Sequence, residues 1–179
     1  MGKLVNNFNL NNRIGILGGS FDPAHKGHLA ISKEAIRKYK LKKLIWAITI
    51  NNPLKKKSTT KVSERIKGCK KIVKSNNLIK IKFFEKIIRS NKTIDLINYL
   101  KRNSNSEIYL LMGADNLINF HKWHKWKIIA KKCIIVVFDR HGYKRKSLNS
   151  ISFKRLQSKN LRFIQFNKVN ISSSQLRKI

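Results

Sequence analysis

Acidic residues are scarce in this chain, with 8 Asp and Glu against 41 Lys and Arg in 179 residues, for a formal net charge of +33. This excess favours a polyanionic partner or an anionic substrate. The lysines occur in every segment, however, and not in one stripe interleaved with aromatic residues, which disfavours a dedicated nucleic-acid surface. Two explanations stay open, namely a functional basic surface and a compositional bias toward Lys, Asn and Ile.

Cysteine and long apolar runs are scarce as well. Cys69 and Cys133 are the 2 cysteines, and their spacing is not that of metal ligands, so reduced core thiols in a cytoplasmic protein are expected. No apolar run approaches the roughly 20 residues of a membrane span, and no membrane partner is expected. Residues 1–12 are polar and Asn-rich without a hydrophobic signal core, which predicts a disordered lead-in and no secretion.

The rest of the chain alternates short apolar runs with helix-period segments. Because no repeat or long linker divides it, residues 13–179 are predicted to form one domain with a doubly wound, mostly parallel α/β sheet. The predicted strands are 13–18, 44–50, 78–84, 107–112, 133–138 and 161–166, with 78–84 nearer an edge. The predicted helices are 25–39, 62–74, 93–102, 115–120, 126–131 and 152–157, with a basic loop from 142 to 150.

Doubly wound sheets bind ligands beyond the carboxyl ends of their strands, at the point where the strand order reverses. This rule groups three segments that follow predicted strands: the turn at 18–28, the segment Gly113–Asp115, and the loop that begins at Arg140. Neither the phosphate loop of ordinary P-loop enzymes nor the Gly-x-Gly-x-x-Gly dinucleotide pattern is present. An anion site of another kind is therefore expected at this edge.

The segment HKGH at 25–28 is the strongest chemical signal in the sequence. His25 and His28 are three residues apart and share one face of the predicted helix, while Gly27 lets a ligand approach the backbone. Imidazoles can donate hydrogen bonds to phosphate and stabilise the charge that develops during displacement at phosphorus. The structural alternative is that one histidine merely caps the helix.

The string GGSFDPAHKGHL at 18–29 resembles the signature of the H-x-G-H nucleotidyltransferases. Three later segments narrow the resemblance to bacterial nicotinate-nucleotide adenylyltransferases: GADNL at 113–117 with FHKWHKW at 120–126, VVFDRHGY at 136–143, and ISSSQLR at 171–177. Residues 52–55 and 93–95 match further parts of that family's pattern. The resemblance runs from about residue 13 to 179 with the motifs in family order.

The resemblance implies a nucleotidyltransferase of NAD biosynthesis that transfers AMP from ATP to nicotinate mononucleotide, with pyrophosphate as the second product. It also implies Mg²⁺, carried mainly by the triphosphate and water. Because the attacking phosphate is already ionised, the chemistry needs positioning and charge neutralisation more than a catalytic base. ATP and nicotinate mononucleotide are the expected partners, nucleic acid is not, and the oligomeric state stays open.

The resemblance also assigns roles to individual residues. His25, His28 and Arg177 are the expected catalytic residues, with His28 at the α-phosphate. The expected phosphate-binding residues are Gly18, Gly19, Ser20, Phe21, Lys55, Ser173 and Ser174. Gly113 and Asp115 are expected at ribose hydroxyls, and Thr93 and Trp123 at the nicotinate, with Trp123 stacking on the ring and Trp126 in the core. Arg140 could contact substrate or cap a strand end.

Three departures from the family pattern bear on these roles. Lys92 replaces the usual aromatic residue before Thr93, His141 replaces a proline, and the chain stops two residues after Arg177.

Two alternative functions remain open from the sequence. One is transfer to the amide mononucleotide or to another substrate of H-x-G-H nucleotidyltransferases. The other is nucleic-acid binding on an inactivated transferase fold.

Overall fold

The apolar runs of the sequence form the interior of a parallel sheet. The computed structural model describes residues 12–51, 58, 60–74, 76–156 and 160–165. In this part of the chain, six strands pair side by side in the order β3-β2-β1-β4-β5-β6, and every neighbouring pair is parallel. The strands are β1 (Arg13–Gly19), β2 (Lys43–Ile48), β3 (Ile79–Lys82), β4 (Glu107–Gly113), β5 (Ile134–Phe138) and β6 (Leu161–Ile164). The predicted doubly wound α/β class is confirmed.

Helices connect the strands and cover both faces of the sheet. They are α1 (Lys26–Tyr39), α2 (Val62–Val73), α3 (Glu85–Ile88), α4 (Thr93–Asn103), α5 (Ala114–Asn119), α6 (Trp126–Lys132), α7 (Lys144–Leu148) and α8 (Ile151–Arg155), with a 3-10 turn at Phe120–Lys122. None of the helices described is long and apolar enough to cross a membrane.

The core has two layers because successive strand residues point to opposite faces. Ile16 and Leu110 face a cluster that includes residues of α4, α5, α6 and the segment after α8. Leu17 and Leu111 face the other cluster, which includes residues of α1 and α2. The near-continuous burial of β1, β2, β4 and β5 therefore reflects coverage on both sides, as expected for parallel strands.

Some local details differ from the sequence prediction. The basic stretch at 142–150, predicted to be a loop, contains α7, and the prediction was wrong because its serines are not solvent-facing. Ser147 is fully buried and its hydroxyl donates to the Lys144 carbonyl at 2.8 Å, while Ser150 caps α8 by accepting from the Phe153 N–H at 3.1 Å. The short helix α3 was not predicted, and its four residues are too few to show a period.

Candidate active site

The site lies where the strand order reverses. β1 and β4 are neighbours at the centre of the sheet, yet the chain leaves β1 through α1 on one face and leaves β4 through α5 on the other. The two connections separate there and open a crevice at the carboxyl ends of both strands. Gly18 and Gly19 end β1, and Gly113 ends β4. The predicted grouping of segments at this edge is thus realised by the topology.

His25 and His28 cap the start of α1 together. His25 is the N-cap residue and not the first helical residue, and its Nδ1 accepts from the Gly27 N–H at 3.1 Å. The His28 Nδ1 accepts from the His25 N–H at 3.2 Å, and the two ring centroids are 3.8 Å apart. Since both Nδ1 atoms are acceptors, each neutral ring carries its proton on Nε2. Capping therefore fixes the tautomer and orientation of both rings instead of excluding a chemical role.

His25 is neutral in the folded protein near neutral pH. The pKa of His25 is lowered from 6.5 to about 4. Burial of the ring is the larger cause, and the nearby positive charge of Arg140 is the smaller one. A neutral imidazole still has one N–H to donate. His25 can thus act as a hydrogen-bond donor without adding a charge to an edge of the sheet that already holds cations.

The turn between β1 and α1 has an open side and an anchored side. A Cβ added at Gly18 would meet nothing within 4 Å, so the backbone there borders open space. Phe21 is 2% exposed and has a left-handed backbone with a φ of 49°. Its ring stacks on Trp46 with centroids 4.9 Å apart and lies 4.8 Å from His28. This packing holds a conformation that a non-glycine residue rarely adopts.

A buried hydrogen-bond chain supports the histidines from below. The Trp46 Nε1–H donates to the Ser32 hydroxyl at 2.8 Å, and that hydroxyl donates to the His28 carbonyl at 2.7 Å. Both side chains are fully buried. The sequence predicted no role for either residue. The available signal was a serine in the middle of a helix face that is otherwise apolar, opposite a tryptophan in a buried strand.

Asp115 and Arg140 form an ion pair at the ends of β4 and β5. The Arg140 Nη1 donates to Asp115 Oδ2 at 2.9 Å, and the Arg140 guanidinium lies 5.4 Å from the centre of the Tyr143 ring. A Cβ at Gly113 would collide with the Asp115 carboxylate, so any other residue there would make this carboxylate shift from its place beside Arg140. The sequence left two roles open for Arg140, contact with substrate and capping of a strand end. The structure adds a third role, because Arg140 holds the Asp115 carboxylate.

The residues expected at the nicotinate lie on α4 and in the segment after α5. Thr93 begins α4, and the Trp123 ring packs edge-on against Phe120 with centroids 5.2 Å apart. Trp126 packs on the same Phe120 ring at 5.9 Å, and both indoles are partly exposed. The expected division into one core and one ligand-binding tryptophan stays a prediction. The rings of His25 and His28 contact each other, and the His28 ring also contacts Phe21 and Trp46.

Arg65 is a buried cation of this edge that the sequence did not reveal. It is 4% exposed and donates four hydrogen bonds to backbone carbonyl oxygens around the turn after β1.

In the described part of the chain, no group of three or more His, Cys, Asp and Glu side chains could hold a metal ion. The predicted roles of four residues fall outside the described residues: Lys55, Ser173, Ser174 and Arg177.

The chain is similar in sequence to one protein family and to named members of it. Residues 16–179 match the family model described as cytidylyltransferase-like. A protein of Pelagibacter ubique (strain HTCC1062) named "Probable nicotinate-nucleotide adenylyltransferase" is 61% identical over 180 residues, covering 100% of both chains. One of the same name from Bradyrhizobium sp. (strain ORS 278) is 38% identical over 146 residues, which cover 80% of this chain and 76% of the other.

A solved structure shows the same fold. The Plasmodium falciparum nicotinic acid mononucleotide adenylyltransferase complexed with NaAD superposes with a TM-score of 0.76. It covers 93% of this chain and 83% of that chain, at 21% sequence identity. The fold of this chain is therefore one that is already known.

Proposed function

Since the chain belongs to the cytidylyltransferase-like family, and within it to the nicotinate-nucleotide adenylyltransferases, we propose that it transfers AMP from ATP to the 5′-phosphate of nicotinate mononucleotide. The products are nicotinate adenine dinucleotide and pyrophosphate. The observation that carries the proposal is the pair of mutually capped histidines at the reversal point of the sheet. Two fixed imidazole donors at an open crevice suit displacement at phosphorus.

The proposed mechanism requires positioning rather than proton abstraction. The mononucleotide phosphate is ionised near neutral pH and attacks the α-phosphorus of ATP in line, with pyrophosphate as the leaving group. His28 donates its Nε2–H to an oxygen of the α-phosphate, and His25 donates to the adjoining phosphates. These hydrogen bonds strengthen as negative charge builds up on the oxygens, so they stabilise the transition state more than the ground state.

The other residues of the edge bind and orient the two nucleotides. The backbone of Gly18–Phe21 borders the phosphates, while Asp115, held by Arg140 at 2.9 Å, accepts from a ribose hydroxyl. For the remaining residues the proposal keeps the roles that the family resemblance suggests. Trp123 stacks on the nicotinate and Thr93 lies beside the pyridine carboxylate. Gly113 lies at the ribose, and the residues at the phosphates of ATP are Lys55, Ser173, Ser174 and Arg177.

The divalent cation implied by the family is proposed to be Mg²⁺. The described residues fit a cation carried by the triphosphate and water, since they contain no group of three or more His, Cys, Asp and Glu side chains that could hold an ion by themselves. When bound, the ion would neutralise phosphate charge. We further propose that residues 13–179 act as one domain, which the single sheet running from Arg13 to Ile164 supports, and that the protein works in the cytoplasm.

The proposal is tested by incubating the protein with ATP and either the acid or the amide mononucleotide, and by measuring pyrophosphate release. We expect turnover with the acid form and the dinucleotide as a second product by chromatography. A His28→Ala preparation made in parallel shows that the activity belongs to this chain. Preference for the amide form would change the substrate, and no turnover with either mononucleotide would refute the function.

A further inference from the structure

Arg65, in helix α2, is a buried guanidinium whose hydrogen bonds all go to the backbone. Its Nε donates to the Thr60 carbonyl at 3.1 Å, and its Nη1 donates to the Ser20 and Thr49 carbonyls, each at 2.7 Å. Its Nη2 donates to the Ile50 carbonyl at 3.2 Å. Burying a guanidinium costs free energy unless its N–H groups find acceptors, and four acceptors are gathered around this one.

These acceptors belong to three different segments at the carboxyl edge of the sheet. Ser20 lies in the turn after β1, Thr49 and Ile50 follow β2, and Thr60 lies just before α2. The segments are also joined directly, since the Thr49 N–H donates to the Gly19 carbonyl at 3.0 Å. Arg65 is therefore the point at which the turn that borders the candidate phosphate site is tied to the rest of this edge.

The bond to Ser20 fixes the direction of the next N–H group. In a trans peptide the C=O and the following N–H point in opposite directions. The Ser20 carbonyl points to Arg65, so the N–H of Phe21 points away from it. Among the described residues this N–H has no protein acceptor. The left-handed φ of 49° at Phe21 keeps this orientation, which the Phe21 ring reinforces by stacking on Trp46.

We propose that Arg65 is a positioning residue for the nucleotide phosphates. It holds the Ser20 carbonyl on the inner side of the turn, and the Phe21 N–H thereby faces outward as a preorganised donor to a phosphate oxygen. Arg65 touches no substrate itself. The inference rests on the proposed function for the identity of the anion, but the geometry of the turn does not depend on which nucleotide binds.

The test compares Arg65→Lys with Arg13→Lys in the full chain. Arg13 is a suitable control because its guanidinium likewise joins two acceptors, although one of them is a carboxylate: it donates to Glu107 at 3.1 Å and to the Tyr39 carbonyl at 3.4 Å, at the opposite end of β1. Lysine keeps the charge at each position and loses the planar fork that reaches several acceptors at once. Circular dichroism and thermal unfolding confirm that each variant is folded.

Calorimetric titration with inorganic pyrophosphate supplies the main readout, because it separates the dissociation constant from the fraction of competent protein. We expect Arg65→Lys to raise the dissociation constant about tenfold or more at unchanged stoichiometry, as for loss of an oriented backbone donor. Arg13→Lys should leave it within about twofold, as for a change remote from the site. Hydrogen exchange without ligand should become faster at residues 18–21 and 49–51 in Arg65→Lys only.

The outcomes that overturn the inference are distinct from those that overturn the function. An unchanged dissociation constant with reduced stoichiometry would show that Arg65 only stabilises the fold. Equal weakening in both variants, or no pyrophosphate binding by the unsubstituted chain, would also overturn the inference. If neither mononucleotide is turned over but pyrophosphate affinity depends on Arg65, the proposed function fails and the inference stands.

Discussion

The depressed pKa of His25 predicts a specific loss of stability on mild acidification. The unfolded chain takes up a proton at His25 near pH 6.5, whereas the folded chain resists it until about pH 4. Between these values the unfolded state binds more protons, so the free energy of unfolding falls as the pH falls. A displacement of the pKa from 6.5 to about 4 corresponds to about 3 kcal/mol if undiminished. Because the ring is partly exposed, we expect a measured loss of about 1–2 kcal/mol.

The assay is urea denaturation at several pH values between 4 and 7.5, with His25→Asn measured in parallel. Asparagine is a good N-cap residue and has no titratable ring, so it keeps the cap while it removes the proton uptake. The difference between the two chains isolates His25 from the carboxylates, which also titrate at the acid end. An identical pH dependence in both chains, or a gain in stability on acidification that His25→Asn abolishes, would refute the assigned burial and charge environment of His25.

Three further predictions concern the proposed reaction. His28→Ala should lower kcat about 100-fold or more with the fold intact by circular dichroism, since it removes a donor to the transition state; a rate near that of the parent would contradict this role. Trp123→Ala should mainly raise the KM for the mononucleotide, and an unchanged KM would assign the ring to the core. Gly113→Ala should displace the Asp115 carboxylate from Arg140 and raise the KM for a nucleotide, whereas unaltered kinetics would show that Asp115 is not needed there.

The sheet could be predicted because its strands are short, apolar and covered on both sides. The edge position of β3 was predicted from its alternation of Ile and Lys, and the structure confirms it. The predicted strand at 44–50 extended too far, because β2 ends at Ile48, and Thr49 and Ile50 are held by Arg65 and by the Glu85 carboxylate. Side-chain bonds to the backbone of this kind leave no periodic signal.

The candidate site was only partly predictable for a related reason. The spacing of His25 and His28 placed them on one helical face, but not in a reciprocal cap. Arg65 is one of 41 cationic residues, and its acceptors are carbonyl oxygens that any residue type supplies, so its role could not be read from side-chain identity. The left-handed backbone of Phe21 was hidden too, because the position is filled by a bulky aromatic residue and not by glycine.

The reciprocal histidine cap has a consequence for how this motif can evolve. Each ring supports the other through the first turn of α1, so a substitution at His25 also removes the acceptor of the Gly27 N–H, and one at His28 removes the acceptor of the His25 N–H. The two positions should therefore show strong epistasis, with the second substitution costing less than the first.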